Sequence, residues 1–483
     1  MSVVTLTLLG ADDPVWETAL LSRPGLTARA VMEGDMTKRR KYSNRGQMTP
    51  PVVQPDAAGI DIGATEIYVA VPPGRDPEPV RSCETFTPDL IALADWLQAC
   101  HIRTVAMEST GVFWIPLFQI LEDRGFQVCL VNARHVKNVP GRKTDVLDCQ
   151  WLQYLHSVGL LHASFRPEQV VCALRALLRH RDNLVRMSSQ HIQHIQKALS
   201  QMNLQLHHVI SDITGATGLA ILDAVISGER SPDALAELRD RRIKASAETI
   251  AKSLVGDYRP EHLFTLGQSV ASYRYYRQLM ADCDCEIQRQ LEDFESKAEP
   301  PPTQPAPKLS ARRQAEANLT QQHWRILGVD LTAVPGISSP TVQVLLAEIG
   351  PDWSKFRSAS AFASWLGLCP HNQISGGQVL SSRTRKVNNR AATAFRLAAN
   401  SLHHSHSYLG EYYRRMRAKL GAPKAITAAA HKLARIAYHL LTTGQAYEES
   451  VFAAQETKSK QRAQTRLEAQ ARALGFHLAP IAG

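Results

Sequence analysis

Four acidic side chains occupy positions whose pattern suggests shared chemistry. Asp61 interrupts the apolar strand pattern GIDIG, and Glu108 ends the strand-like run RTVAME. Asp145 and Asp148 stand three apart at the start of a predicted helix, a spacing that places both side chains on one helical face. Four carboxylates in one pocket would oppose each other's ionisation unless cations neutralised them. Oxygen donors of this kind suit Mg²⁺ or Mn²⁺, which promote chemistry at phosphodiesters.

Each carboxylate also has an ordinary explanation. The helix dipole favours an acid such as Asp145 in a first helical turn, and Glu108 fits equally well as a surface residue at the end of a strand. Asp61 is harder to explain in this way, because an unpaired carboxylate inside an apolar strand is costly. Taken together, the four residues favour a catalytic metal site.

A serine near the other end of the chain is a candidate nucleophile. Ser375 precedes Gly376 and Gly377, so its hydroxyl lies on a flexible or tightly turned backbone with little steric cover. An ordinary loop serine would show the same pattern, and Ser381 and Ser382 are rival candidates.

Basic residues accompany both groups and suit the binding of nucleic-acid phosphates. They are Arg134, Lys137, Arg142 and Lys143 ahead of the aspartate pair, and Arg383, Arg385, Lys386 and Arg390 after the serine. Basic turns that are merely solvated would show the same sequence pattern. The net charge of +10 raises the expectation of a polyanionic partner, but charge alone does not distinguish DNA, RNA and an acidic surface.

The pattern of elements predicts a multidomain protein that is α/β at first and all-α later. Three β-rich runs are followed by strands alternating with helices, which indicates a mixed sheet. That order fits an RNase H-like fold over residues 56–162. Residues 1–50 lack periodicity, and we expect them to form a disordered extension.

Beyond residue 162 the strand signals stop, and residues 163–297 show two heptad patterns. The spacing is typical of coiled-coil packing and predicts two long arms that pair within one chain or between chains. The predicted seams are Leu178, Val185, Ile192, Leu199 and Leu206 in the first arm, and Leu266, Tyr273, Met280, Ile287 and Phe294 in the second.

The C-terminal part begins after a proline-rich stretch, residues 298–322, that we expect to be a linker. Residues 323–447 read as a mostly helical domain, and residues 448–483 as a polar tail. Within the domain, LTAVPGISSPTVQVLLAEIG predicts either a helix-hairpin-helix-like element, whose turn amides would hold a phosphate, or a plain helical hairpin.

Composition and sequence pattern argue against membrane-spanning, secreted and cysteine-rich metal-binding classes of protein. No apolar run approaches the roughly 18 to 20 residues of a membrane span, and no secretory signal is apparent. The eight cysteines lack paired metal-ligand spacing, and we expect them to be reduced. The expected location is the bacterial cytoplasm, in association with the nucleoid.

The motifs in combination resemble those of a known family. GIDIG, AMESTG and KTDVLD, together with PGI, LGLCP, ISGG and RKVNNR, resemble the DEDD-type insertion-sequence transposases, relatives of the Piv DNA invertase, over most of residues 57–447. The resemblance implies a RuvC-like domain carrying Asp61, Glu108, Asp145 and Asp148, a coiled-coil middle and a C-terminal transposase domain with Ser375 as nucleophile.

The resemblance also implies a reaction and partners. A serine would attack a DNA phosphodiester in a pocket completed by metal-bound carboxylates of another subunit, so that DNA of the element ends and target is cut and rejoined. A homo-oligomer, dimer or tetramer, is expected, and several members of the family use a structured guide RNA encoded by the element. Two alternatives stay open: a RuvC-like junction-resolving nuclease that uses water, and a non-catalytic nucleic-acid-binding scaffold built on the coiled coil.

Overall fold

The computed structural model describes residues 51–108, 111–132, 145–299 and 311–476. The described chain divides into two compact units at Ser164 and Phe165. The predicted extension over residues 1–50 lies outside the described residues. No helix within these ranges combines the length and the apolar character needed to cross a lipid bilayer.

The N-terminal unit is built on a five-stranded mixed sheet. Its strands lie in the order β3-β2-β1-β4-β5, with antiparallel pairing among the first three and parallel pairing of β1 with β4 and of β4 with β5. The strands are β1 (Ala57–Ile62), β2 (Glu66–Ala70), β3 (Val80–Glu84), β4 (Thr104–Glu108) and β5 (Gln127–Val131). The predicted α/β layer with a mixed sheet is therefore confirmed, and it is consistent with a RuvC-like domain.

Among the described residues of this unit, the helices that pack on the sheet are α1 (Thr87–Ala99), α2 (Trp114–Asp123) and α3 (Asp145–Ser157). Alternate residues of β1, such as Ile60, belong to one buried core with leucines of α1 and α2. Because successive strand residues point to opposite faces, Gly59 and Asp61 face the other side, where α3 lies against β1.

The second unit contains two helices of 33 residues each, α4 (Gln169–Gln201) and α9 (Pro260–Glu292), which pack antiparallel within the chain. Arg181 of α4 forms an ion pair with Asp284 of α9, and the rings of His191 and Tyr276 stack with their centroids 5.4 Å apart. Four short helices connect the far ends of the arms: α5 (Leu206–Val209), α6 (Ala216–Ile226), α7 (Pro232–Glu237) and α8 (Ala247–Ser253).

The predicted contact residues of the two arms differ in how well they agree with the observed burial. All five seam residues of the second arm are buried. In the first arm the buried stripe lies partly one residue earlier, with Leu184 3% exposed and Val185 39% exposed. Polar residues such as Ser188 and His191 lie on the face of α4 that contacts α9. The heptad of apolar residues therefore predicted an adjacent face of the helix instead of the contact face.

The C-terminal helices share one continuous core with the near ends of the arms. Val171 and Leu174 of α4 are buried with Leu345 and Phe395 of the C-terminal helices. The elements are α10 (Ala311–Leu327), α11 (Ser339–Ile349), α12 (Ala359–Trp365), β6 (Gln373–Ser375), β7 (Gln378–Ser381), α13 (Arg390–Ser401), α14 (Tyr408–Leu420), α15 (Ala422–Thr443) and α16 (Ala453–Ala473). Helix α10 begins inside the stretch predicted as a linker, and α16 occupies much of the predicted polar tail.

The predicted helical hairpin around PGI, read as helix-hairpin-helix-like or plain, has only a short first element. A single 3-10 turn, Leu331–Ala333, precedes the PGI turn, and α11 follows it. Gly336 has φ +91°, and a Cβ atom there would lie 2.6 Å from the carbonyl oxygen of Ala398 in α13. The turn therefore packs closely on its own domain, and glycine is required both by its conformation and by this contact.

Candidate active site

Asp61 and Glu108 lie at the same end of two neighbouring parallel strands, β1 and β4. Ile60 of β1 is paired with Met107 of β4, so the next residues along the two strands are Asp61 and Glu108. Adjacent strands lie about 4.8 Å apart, and residues at the same register position present their side chains on the same face. Glu108 is 9% exposed, and Asp61 is partly buried. The sheet therefore brings these two predicted site residues together.

Helix α3 crosses the same face with its N-terminal end directed toward these strand ends. His156, near the end of the helix, shares a hydrogen bond of 2.8 Å with the hydroxyl of Thr104 at the start of β4. A Cβ atom on Gly59 would lie 2.2 Å from the backbone nitrogen of Gln153 and 2.3 Å from the carbonyl oxygen of Cys149. The helix backbone therefore rests directly on the strand at Gly59.

Asp148 lies in the first turn of α3, at the end of the helix that is directed toward Asp61. Burial raises the pKa of the neighbouring Cys149 thiol to about 12, and the negative charges of Asp61 and Asp148 add to the rise. Both carboxylates are thus close enough to one thiol to act on it. The helix begins at Asp145, and one turn, about 5.4 Å, separates it from Cys149. The backbone of Asp145 is consequently near the level of Asp61.

The donor chemistry of this group fits a hard divalent cation, since carboxylate oxygens are the ligands that Mg²⁺ takes from proteins. Among the described side chains, no set of three or more His, Cys, Asp or Glu residues is close enough to form a metal centre. For Asp145 the structure describes only the backbone, so its side chain is not included in this statement. The structure thus places Asp61 and Glu108 on neighbouring strands and Asp148 on the helix that crosses the same face, and these described side chains do not by themselves form a three-ligand centre.

Ser375 lies at the tip of a short hairpin in the second unit. It ends β6 and is paired with Gln378 at the start of β7. Between them Gly376 and Gly377 have φ values of +55° and +77°, the conformation of a two-residue turn that favours glycine at both positions. The whole hairpin is exposed apart from partly buried Ser381. The expected tight backbone turn beside the serine is therefore present.

Apolar side chains of this hairpin also face solvent. Ile374, Val379 and Leu380 are 62%, 57% and 68% exposed. A further bridge between Pro370 and Thr384 extends the hairpin at its base.

The predicted phosphate-binding residues occupy unlike surroundings. Arg383, Arg385 and Lys386 follow the hairpin and are exposed, with Arg385 donating a hydrogen bond of 2.6 Å to the carbonyl oxygen of Ser364. Arg390, in contrast, forms an ion pair of 2.6 Å with Asp182 of α4, so it also ties the C-terminal domain to the first arm. Arg134, Lys137, Arg142 and Lys143 lie outside the described residues.

Sequence reasoning missed two features. The hairpin itself was foreseeable, because GG flanked by QIS and QVLS is a turn signal between two short strand-like runs. The second is a cluster around Lys432, whose amino group lies over the rings of Tyr408, Tyr412 and Phe452 at 4.3, 4.6 and 5.0 Å. Residues so far apart in sequence carry no local signal of their contact.

Comparison with known proteins identifies two matching segments. Residues 58–204 match a family model of DEDD transposases of the IS110 type, and residues 330–414 match the model described as the transposase IS116/IS110/IS902 family. The first segment holds the sheet with the carboxylates, and the second holds the serine hairpin.

A curated relative supports the same assignment. It is named "Putative transposase y4pF/y4sB", from Sinorhizobium fredii (strain NBRC 101917 / NGR234), and is 33% identical over 130 residues. The aligned stretch makes up 25% of this chain and 32% of that relative, so this chain spans about a third of its length. Together with the two segments and their motifs, these matches show that the chain belongs to the IS110-type family of DEDD transposases.

Proposed function

We propose that this chain is the transposase of an insertion sequence and cuts and rejoins DNA with Ser375 as nucleophile and the carboxylates of the N-terminal unit as the metal site. The observation that carries the proposal is the meeting of Asp61, Glu108 and the start of α3 at one end of the sheet. Carboxylates on two neighbouring strands and an adjoining helix suit a divalent cation, because oxygen donors are the ligands that Mg²⁺ prefers and a bound cation would offset their mutual repulsion.

In the proposed step, the Oγ atom of Ser375 attacks the phosphorus of a DNA phosphodiester. A bond between Oγ and phosphorus forms as one ester bond to deoxyribose breaks. The serine hydroxyl loses its proton, and the released deoxyribose oxygen takes one up. The product is a phosphoserine link, which a deoxyribose hydroxyl of a new strand later attacks to restore the serine. The exposed, glycine-flanked position of Ser375 leaves room for a duplex to approach its hydroxyl.

Asp61, Glu108, Asp145 and Asp148 would hold one or two Mg²⁺ or Mn²⁺ ions, which when bound stabilise negative charge at the phosphate. The chain itself fixes two of these carboxylates by strand register and carries the other two on a helix pressed against Gly59. The contact between this helix and β1 at Gly59 supports a preorganised site, because it holds the two backbones in place without DNA.

The proposed partners are the DNA of the element ends and the target, together with a structured guide RNA and further copies of the chain. Exposed Arg383, Arg385 and Lys386 beside the hairpin support a phosphate backbone as the partner of this surface. The guide RNA and the homo-oligomer, a dimer or tetramer, follow from family membership alone.

The test is a search for a covalent adduct between the purified full chain and DNA spanning the element ends, with Mg²⁺ and with or without candidate RNA. The proposal expects an adduct that maps to Ser375 by mass spectrometry. Ser375→Ala should abolish the adduct while DNA binding persists, and Asp61→Ala should do the same.

Ser381→Ala and Ser382→Ala are matched controls, because these serines stand in the same hairpin region and should leave the adduct intact. An adduct that survives Ser375→Ala would assign the nucleophile elsewhere. Strand cleavage by the Ser375→Ala protein without any adduct would instead favour a RuvC-like nuclease that uses water. DNA binding with no cleavage by any protein would favour a non-catalytic scaffold.

A further inference from the structure

A cleft in the C-terminal domain, remote in sequence from the serine hairpin, has features of a ligand site. It has a volume of about 600 Å³ and lies between α14, α15 and the segment that follows α15. Its size is within the range of about 300 to 1,000 Å³ that is typical of small-molecule sites.

One wall of the cleft is basic. His431, Arg435 and His439 recur every four residues along α15 and line the cleft together with Lys432. Glu448 is the acidic residue of its lining. Arg435 and His439 are exposed, and in the described part of the chain no carboxylate forms an ion pair with Arg435. The wall therefore favours an anionic group.

Aromatic residues lie next to this basic wall. Tyr408 and Phe452 stack almost parallel, with ring centroids 4.7 Å apart. The amino group of Lys432 donates a hydrogen bond of 3.0 Å to the hydroxyl of Tyr408 and lies over the ring of Tyr412. Tyr412 and Phe452 both line the cleft, so flat apolar faces adjoin the cationic wall.

Tyr447 adds a polar atom that lacks a partner. Its hydroxyl oxygen is buried and forms no hydrogen bond with the described part of the protein, although the side chain lines the cleft. Burial and the nearby Glu449 raise the pKa of this phenol to about 12, so it keeps its proton at neutral pH. A buried donor without an acceptor is unfavourable, and a bound ligand with an acceptor oxygen would relieve the cost.

We propose that this cleft binds one unpaired nucleotide of the nucleic-acid partner. The base would lie against the aromatic side formed by Tyr412 and Phe452, the phosphate would contact Arg435 and His439, and the Tyr447 hydroxyl would donate to a base or phosphate oxygen. Stacking on aromatic side chains beside cationic groups is the usual way in which proteins hold single-stranded nucleic acid. The inference rests on the proposed function only in taking nucleic acid as the partner.

RNA and DNA share this chemistry, and photo-crosslinking distinguishes them. The full chain carrying Ser375→Ala would be irradiated in EDTA with single-stranded RNA containing 4-thiouridine or single-stranded DNA containing 4-thiothymidine. Adducts would then be mapped by mass spectrometry. The proposal expects adducts on the peptides of Tyr412, Tyr447 or Phe452, in whichever arm supplies the nucleotide.

Two variants and two controls make the result specific. Arg435→Ala and Tyr447→Phe should each lower the yield of cleft adducts by about two- to tenfold, as expected for loss of one hydrogen-bonding partner. Lys424→Ala, an exposed cation on the same helix, and Tyr275→Phe, an exposed tyrosine of α9, should not. Circular dichroism and thermal melting should show Tyr447→Phe folded as the parent.

Adducts confined to other peptides, an absence of adducts, or yields that neither cleft variant changes would overturn the proposal. Because photo-crosslinking needs no strand cleavage, the outcome does not depend on the assignment of the nucleophile. A cleft adduct together with a failed phosphoserine test would show that the nucleotide site is real and the proposed reaction is not.

Discussion

The carboxylate end of the N-terminal sheet and the serine hairpin of the second unit are built in opposite ways. Asp61 and Glu108 are fixed by strand register, and the backbone of α3 is in contact with Gly59. Ser375 ends a three-residue strand, and the two glycines after it have no atoms within 4 Å of the position a Cβ would take. One region is crowded, and the other is open.

The contrast agrees with the two different roles proposed for these regions. Ligands of a cation need positions held to a few tenths of an ångström, which crowded sheet and helix backbones supply. A nucleophile that must reach a DNA phosphate needs access instead, which an exposed turn supplies. Substitutions should consequently have different effects in the two regions, and the following predictions test that difference.

The largest effect should come from Asp148→Asn. If Asp148 belongs to the proposed metal site, its loss removes several kcal/mol of charge stabilisation, which corresponds to a fall of at least about 10³-fold in the rate of strand cleavage. The measurement is single-turnover cleavage of DNA spanning the element ends. Asp123→Asn, an exposed acid at the end of α2, is the matched control and should cleave normally. A fully active Asp148→Asn protein would remove this residue from the site.

Gly59→Ala should destabilise the N-terminal unit by about 3 kcal/mol, the upper part of the range for overpacked cores. Its new methyl group would overlap the backbone of α3 at 2.2 Å, so the helix would have to move. The methyl group of Gly376→Ala would meet no neighbouring atom, so the variant should lose only about 1 to 2 kcal/mol of stability, the cost of a positive φ for alanine. Urea denaturation of both variants checks the comparison. Equal losses would show that the two regions are not crowded and open as described.

Acid should destabilise the second unit through His323, a buried residue of α10. Burial lowers the pKa of His323 to about 4, whereas the unfolded value is about 6.5. The unfolded chain therefore binds the extra proton first, and stability present above pH 6.5 is lost as the pH falls toward 4. The expected loss is about 2 kcal/mol at pH 5.

Urea midpoints at pH 7.5 and pH 5 measure this effect. His323→Gln, which cannot titrate, should lose about 2 kcal/mol less than the parent between the two pH values. An identical loss in both proteins would mean that His323 is protonated in the folded chain.

The smallest effect should come from Leu380→Ala in the hairpin. The side chain is 68% exposed, so the free energy of unfolding should change by no more than about 0.5 kcal/mol. Leu121→Ala, at a fully buried leucine of α2, should cost about 2 to 5 kcal/mol. A large loss for Leu380→Ala would show that the hairpin is covered in the folded protein, for instance by another copy of the chain.

The sequence predicted the elements and buried faces that depend on the local spacing of apolar residues and on residue type. The alternation around Asp61 predicted β1, and the heptad of Leu266 and Tyr273 predicted the buried face of α9, because side-chain direction follows directly from strand and helix geometry. The seam of α4 was misplaced by one residue around Val185, since polar side chains such as Ser188 lie at the contact and their burial depends on the partner helix.

The sequence by itself determined that one acidic residue lies within a strand, one ends a strand and two begin a helix, and that a serine precedes a glycine pair. Only the tertiary structure decided that Ile60 pairs with Met107, which places Asp61 beside Glu108, and that α3 packs across Gly59 with its acidic end toward them. It also decided that Lys432 and Tyr447 share a cleft. Such contacts join residues distant along the chain, and their free energy depends on the packing of whole elements, which no local pattern records.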